Sequence, residues 1–186
     1  MPLRANQLEQ ALRTTGVNLD ALGIEVVVRL YLVGGSAGLL SGLLPAARTT
    51  GDVDVSAVEP DDCWDAVRRA AARAAKELHL PETWLNDKCR IYGWSLPLGW
   101  KGRCHRIDRF GPLEVWAIDR QDFIAAKVVS APRRPQDLED LRAAGPTPEE
   151  LLFAEENIDR IEREHLDPDA SFEDARAILQ ALRGEA

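Results

Sequence analysis

The run IEVVVRLYLVGGSAGLLSGLLPAARTTGDVDVSAV, residues 24–58, constrains the fold more than any other part of the chain. Its first third is rich in β-branched residues and ends at the pair Gly34-Gly35, the pattern of a buried strand. SAGLLSGLL then carries helical apolar spacing, with Ser36 where an N-cap would stand. Pro45 stops that helix, RTTG is a loop, and DVDVSAV is the next strand. Inside this second strand lie two aspartates, Asp52 and Asp54. Residues i and i+2 of a strand point to one face, so the two carboxylates project side by side while Val53 and Val55 face the other way. Like charges so close repel, and burial disfavours both. A divalent cation removes both penalties, and Mg²⁺, or Mn²⁺ in its place, takes one or two carboxylates together with substrate phosphates. A solvated strand edge is the plainer reading of the same pair. Gly34, Gly35 and Ser36 form a strand-to-helix junction whose backbone N–H groups suit a phosphate. They equally suit a tight turn with a serine cap. Arg48, in the loop before the aspartates, adds a positive charge to a phosphate site or is simply exposed.

Around this unit the chain predicts more helices than strands. Residues 5–13 read as a short amphipathic helix. EPDDCWDAVRRAAARAAKELHL is a long one, acidic early and basic late as the helix dipole favours, and ended by Pro81. PETWLNDKCRIYGWSLPLGW is irregular and aromatic, and its WLND and PLGW fit no motif. CHRIDRFGPLEVWAI predicts a β-hairpin turning at Gly111-Pro112. Glu114 lies in the apolar half of that hairpin, where a carboxylate is at an edge, paired, or the third member of a metal triad with Asp52 and Asp54. Four helices follow: DRQDFIAAKVVSA, PQDLEDLRAAG, TPEELLFAEENIDRIEREH with its Thr147 cap, and SFEDARAILQAL with Ser171 near its start. The fold class is α+β, a small mixed β-sheet flanked by helices with a C-terminal helical part. Residues 1–145 form the main domain and 146–186 a helical extension packed on it.

Lys127 sits mid-helix in FIAAKVV, where a lysine snorkels or meets an anion. Asp137 and Asp140 are three apart and share a helix face. They are solvated there, or pair with Arg133, Arg134 or Arg142, or belong to a site.

The 186 residues suffice for one sizeable domain, 45% hydrophobic and 29% charged. A net charge of −8 excludes a general nucleic-acid coat. The run from Trp100 to Arg109 is nevertheless basic, and Lys101, Arg103, Arg106 and Arg109 slightly favour a polyanionic acceptor over a hairpin kept soluble by charge. Trp84, Trp94 and Trp100 stack on a base or, more simply, anchor loops. No apolar run reaches the roughly 20 residues of a membrane span, and the N-terminal stretch has no signal-peptide core. The expected location is cytoplasmic, with no membrane partner. Three cysteines and three histidines, scattered and without CxxC spacing, point to reduced thiols and to neither zinc nor disulfides.

The sequence G-G-S followed by R-T-x-G-D-V-D-V resembles the signature of the polymerase-β type nucleotidyltransferase superfamily. DFIAAKVVSAPRRPQDLEDL resembles the A-x-K…R…D-x-x-D-L segment of AbiEii-like and minimal (MNT-like) nucleotidyltransferases, many of them in bacterial toxin–antitoxin or phage-defence loci. The likeness spans roughly residues 20–145. It implies a polymerase-β-like fold with Gly34, Gly35 and Ser36 on the triphosphate, Asp52 and Asp54 on Mg²⁺, Lys127 on phosphate or the transition state, and Asp137 or Asp140 as the later acidic residue. The superfamily's usual third carboxylate lies on a strand, which favours Glu114, whereas the AbiEii-like pattern favours the Lys127–Asp137 region. The implied reaction moves an NMP from an NTP to a hydroxyl of tRNA, a protein or a small molecule, and an antitoxin is the implied partner. A catalytically inactive interaction module and a metal-dependent nuclease are the rivals. The first would not need the aspartate pair, the second would not need the glycine turn.

Overall fold

The computed structural model describes residues 2–166 and 172–185. It divides into two compact units, Met1–Arg90 with Arg103–Ile118, and Ile91–Gly102 with Asp119–Ala186. The α+β expectation holds, with a small mixed sheet, flanking helices and C-terminal helices. The later boundary between the units lies between residues 118 and 119, and residues 91–102 belong with the second unit.

The first unit runs α1 (Ala5–Asp20), β1 (Val28–Val33), α2 (Gly34–Leu40), β2 (Val53–Glu59), α3 (Trp64–Leu78), β3 (Leu85–Asn86), β4 (His105–Phe110) and β5 (Leu113–Ala117). Among the described residues the strands form one five-stranded sheet in the order β3-β2-β1-β5-β4. β1 is antiparallel to β2 and parallel to β5, β3 is parallel to β2, and β4–β5 is the expected hairpin. One face buries Leu30, Leu32, Val53, Val55, Leu113 and Val115. α1 packs on α3 and on β4 and β5 of this sheet. The alanines of α3, buried at Ala70, Ala71, Ala74 and Ala75, let the helices approach closely. Trp84, fully buried, donates its indole N–H to the Ala71 carbonyl at 3.1 Å and so ties β3 to α3.

Three differences from the sequence reading have physical causes in the packing. α1 continues seven residues past Arg13, through Thr14-Thr15-Gly16 to Asp20. A Cβ on Gly16 would stand 2.3 Å from the Phe110 carbonyl oxygen, so the glycine marks a close crossing and not a helix end. β2 carries a bulge: Leu32 faces Val55 but Tyr31 faces Ala57, leaving Ser56 as the extra residue. This shift of parity lets Val53, Val55 and Val58 all reach the core while Asp54 shares a face with Val33 and Tyr31. Finally, the segment after Pro81, read as irregular, contains the two-residue strand β3 and two short helical stretches, a 3-10 turn at Lys88–Ser95 and α4 (Trp100–Arg103).

The second unit holds α5 (Arg120–Ser130), α6 (Pro135–Ala144), α7 (Pro148–Arg163) and α8 (Glu173–Glu185). α5 packs against all three others, which is why it belongs with them and not with the sheet. Its start is capped by Asp119 and locked to α7 by Arg120, whose Nε lies 2.7 Å from Glu150 Oε1. α7 starts in the expected Thr147 capping box; Ser171 lies outside the described residues. Residues 91–102 join this unit through Arg160 of α7, whose guanidinium donates to the carbonyls of Trp94 and Leu96 at 2.9 and 3.0 Å. Among the described residues no helix is long and apolar enough to cross a membrane.

Candidate functional site

β1 delivers the chain to Gly34, which takes φ +67°, a left-handed conformation that favours glycine. A Cβ on Gly34 would stand 3.0 Å from Asp54 Oδ2. A Cβ on Gly35 would meet Thr50 Oγ1 at 3.3 Å and an Arg48 guanidinium nitrogen at 3.6 Å. The glycine pair is therefore a bare stretch of backbone with a carboxylate beside Gly34 and a hydroxyl and guanidinium beside Gly35. Thr50 is fixed by reciprocal backbone hydrogen bonds with Leu3, at 2.6 and 2.9 Å, and its hydroxyl donates to the Asp52 carbonyl at 3.2 Å. Ser36 is not the N-cap: α2 begins at Gly34 after Val33. The Ser36 side chain is buried and donates back to the Val33 carbonyl at 3.3 Å.

Asp54 lies on β2 and Asp52 immediately before its first residue; both are half-buried. Asn86 on β3, in register with Asp54, donates its amide to Asp52 Oδ2 at 3.0 Å. Cys89 is close enough to feel the same carboxylates. Burial pushes its thiol up to about 12, and the charges of Asp54, Asp87 and Asp52 push in the same direction. With its pKa raised so far, the thiol carries its proton at neutral pH. Neither Asn86 nor Cys89 could be found by spacing. The one signal was a polar Asn-Asp following the apolar Trp84-Leu85. Among the described residues no group of three or more His, Cys, Asp or Glu could hold a metal ion. Two half-open carboxylates do fit a hard cation that draws its remaining oxygens from phosphate and water.

Glu114 does not join them. It pairs with Arg29 along β1, whereas Asp54 pairs with Val33, four residues on, about 13 Å at ordinary strand rise. Its carboxylate is surrounded by Arg29 Nε at 3.4 Å, Arg106 Nη1 at 3.5 Å, Arg109 Nη1 at 3.9 Å and the Trp116 indole N–H at 3.3 Å. Burial raises its pKa, but the hydrogen bonds from Trp116 and Arg29 and the charges of Arg106 and Arg29 outweigh burial and hold it below the usual range. Two arginines of the expected basic patch thus face Glu114. On the same face Tyr31 donates to Glu59 at 2.8 Å, and its hydroxyl is pushed up to about 12 by burial and by that carboxylate.

In the second unit Lys127 is 5% exposed, and Asp137 and Asp140 are 2% exposed each. The ammonium donates to Asp137 Oδ1 and, at 2.8 Å, to Asp140 Oδ2. Ser130 donates to Asp137 Oδ2 at 2.6 Å, and Arg134 approaches the same oxygen at 3.6 Å. Of the readings open for these residues, the shared helix face holds and Arg134 pairs with Asp137, whereas the solvated reading fails because both carboxylates are buried against Lys127. Arg142 instead reaches Glu185 at 3.2 Å.

Neither the curated proteins nor the solved structures compared with the chain gave a match. A family model matches residues 12–176, covering both the glycine–aspartate run and the lysine–aspartate cluster, and the chain belongs to the family it describes, a nucleotidyltransferase of unknown function (DUF6036).

Proposed function

We propose that the protein transfers an NMP from an NTP to a hydroxyl acceptor, with the triphosphate over Gly34 and Gly35 and the cation on Asp52 and Asp54. The observation that carries this reading is the approach of the Asp54 carboxylate and the Arg48 guanidinium to two side-chain-free residues. Without a Cβ, Gly34 and Gly35 let phosphate oxygens come within reach of backbone N–H groups, and Arg48 adds a cation at the Gly35 side. Mg²⁺, or Mn²⁺, would supply the charge that offsets the triphosphate beside two carboxylates. The acceptor oxygen bonds to the α-phosphorus as the bond to the β-phosphate bridging oxygen breaks, pyrophosphate leaves, and the acceptor proton goes to a site carboxylate or water. The chain contributes position and charge. The resemblance to AbiEii-like and MNT-like enzymes supports a toxin–antitoxin or defence setting, with tRNA or a protein as acceptor and an antitoxin as partner.

The interaction-module reading draws on one observation, that the Lys127 ammonium is already engaged by Asp137 and Asp140. Calorimetric titration of each NTP, with and without Mg²⁺, into wild type and Asp52→Asn separates the two readings. Binding that requires Mg²⁺ and fails in the variant is the expected result. A well-folded protein that binds no NTP would overturn transfer in favour of the module.

A further inference from the structure

WLND, the stretch without a motif, forms β3 and its exit, and it places Asn86 against the carboxylate pair. The strand is only two residues long. It is held by the Trp84 indole on α3 and by the Val53 N–H, which donates to the Trp84 carbonyl at 2.6 Å. Leu85 pairs with Val53 and Asn86 with Asp54, so the anchored strand fixes where Asn86 stands relative to both aspartates.

The amide of Asn86 is used at both ends. Its Nδ2 donates to Asp52 Oδ2 at 3.0 Å, and its Oδ1 accepts from the Lys88 N–H at 3.1 Å. The reversed amide would set oxygen against carboxylate oxygen and NH₂ against N–H, two repulsions in place of two hydrogen bonds. The side chain is 8% exposed, so water competes weakly for either bond.

We infer that Asn86 is a positioning residue that orients Asp52 and keeps the site at two carboxylates, so that the cation binds together with the triphosphate and not before it. The inference rests on the nucleotidyl-transfer reading above. An aspartate of the same shape would bring a third negative charge against Asp52 and give a cation a third protein carboxylate to bind without nucleotide. An amide cannot do that. It holds Oδ2, limits rotation of the carboxylate, and adds no charge. With two carboxylates the protein leaves several positions of a hard cation to be filled by other oxygens, and the phosphates are the ones that arrive.

The test uses Mn²⁺, whose free concentration is read by electron paramagnetic resonance, with and without a non-hydrolysable NTP analogue. Wild type should bind Mn²⁺ weakly alone and much more tightly with the analogue. Asn86→Ala should weaken Mn²⁺ binding with the analogue by about 10- to 100-fold, the usual effect of removing a group that orients a metal ligand. Asn86→Asp, isosteric with wild type, should bind Mn²⁺ without the analogue at least about tenfold more tightly than wild type. It also carries the test if the alanine variant does not fold. Wild-type Mn²⁺ and nucleotide binding that depends on Asp52 but is unchanged in both Asn86 variants would overturn the inference and leave the transfer reading intact. No Mn²⁺ binding by folded wild type in the presence of the analogue would overturn both.

Discussion

The two units of this protein each bring two aspartates together, and they treat them oppositely. In the second unit Asp137 and Asp140 are almost fully buried around the Lys127 ammonium, with the exposed Arg134 approaching Asp137 from outside. In the first unit Asp52 and Asp54 stay half-buried beside a glycine pair, and the donor given to Asp52 Oδ2 is the neutral amide of Asn86. A charge neutralised internally stabilises the fold that holds it. A partly open position is what the proposed cation and triphosphate would need. The sharpest way to break this contrast is to neutralise one aspartate of the open pair. Asp54→Asn should lower transfer by on the order of 10³-fold, about 4 kcal/mol in barrier, while the isosteric amide keeps the fold intact. A radiolabelled-NTP transfer assay beside a melting curve reads both. Retained transfer would mean that the open pair has no part in chemistry.

The buried cluster should respond in the opposite sense. Lys127→Met leaves two carboxylates buried without their ammonium, and breaking such a pair from one side costs about 3–5 kcal/mol. The triple variant with Asp137→Asn and Asp140→Asn should recover much of that loss, because no uncompensated charge remains. Denaturant unfolding of the two variants measures this directly. If Lys127→Met instead unfolds like wild type but loses transfer, the lysine belongs to the reaction, as the resemblance implies, and the contrast between the two units collapses.

How much of this was legible in the sequence depends on the range of the interaction. The strand, glycine pair, helix and aspartate strand from residues 24 to 58 follow a local pattern of branched, small and charged residues and fold in that order, although β1 starts at Val28 and the helix ends at Leu40, before Pro45. The hairpin at Gly111-Pro112 and the shared face of Asp137 and Asp140 are equally local. What periodicity could not show was fixed by distant partners. Gly16 resembles a helix end until Phe110 is seen against it. A two-residue strand has no period at all, and Asn86 is placed by Trp84 reaching α3. The parity break between Val55 and Val58 shows only in the pairing of β1 with β2, where Ser56 absorbs it. Glu114 read as an edge residue, a paired one or a third ligand; register sets it four residues along β1 from Val33, the residue that faces Asp54, and the paired reading holds, with arginines that sequence spacing could not assign.

Smaller substitutions sharpen the comparison within the first unit. Gly34→Ala adds a Cβ at positive φ and at 3.0 Å from Asp54 Oδ2. It should lower stability by about 1–2 kcal/mol and weaken Mg²⁺-dependent NTP binding more than Gly35→Ala does. At Gly35 the nearest atom is the Thr50 hydroxyl oxygen at 3.3 Å, and the left-handed penalty is absent. Calorimetry on the two variants ranks them, and equal nucleotide affinities would remove the triphosphate from this turn.

The smallest effect on transfer belongs to Glu114, and it is the control for the rest. Its carboxyl is held below the usual range in the folded state, so its contribution to stability is complete above the unfolded value of about 4.3 and is lost as pH falls through the lower folded value. Glu114→Gln should therefore be less stable than wild type at neutral pH, and the difference should close on acidification through the region below about pH 4. Transfer at neutral pH should stay close to wild type, because the carboxylate binds Arg29, Arg106 and Trp116 at the far end of β1 from Asp54. Melting curves across pH, together with a transfer assay at neutral pH, test both halves. A large loss of transfer without a loss of stability would return Glu114 to the metal site and require the strand register to change when nucleotide binds.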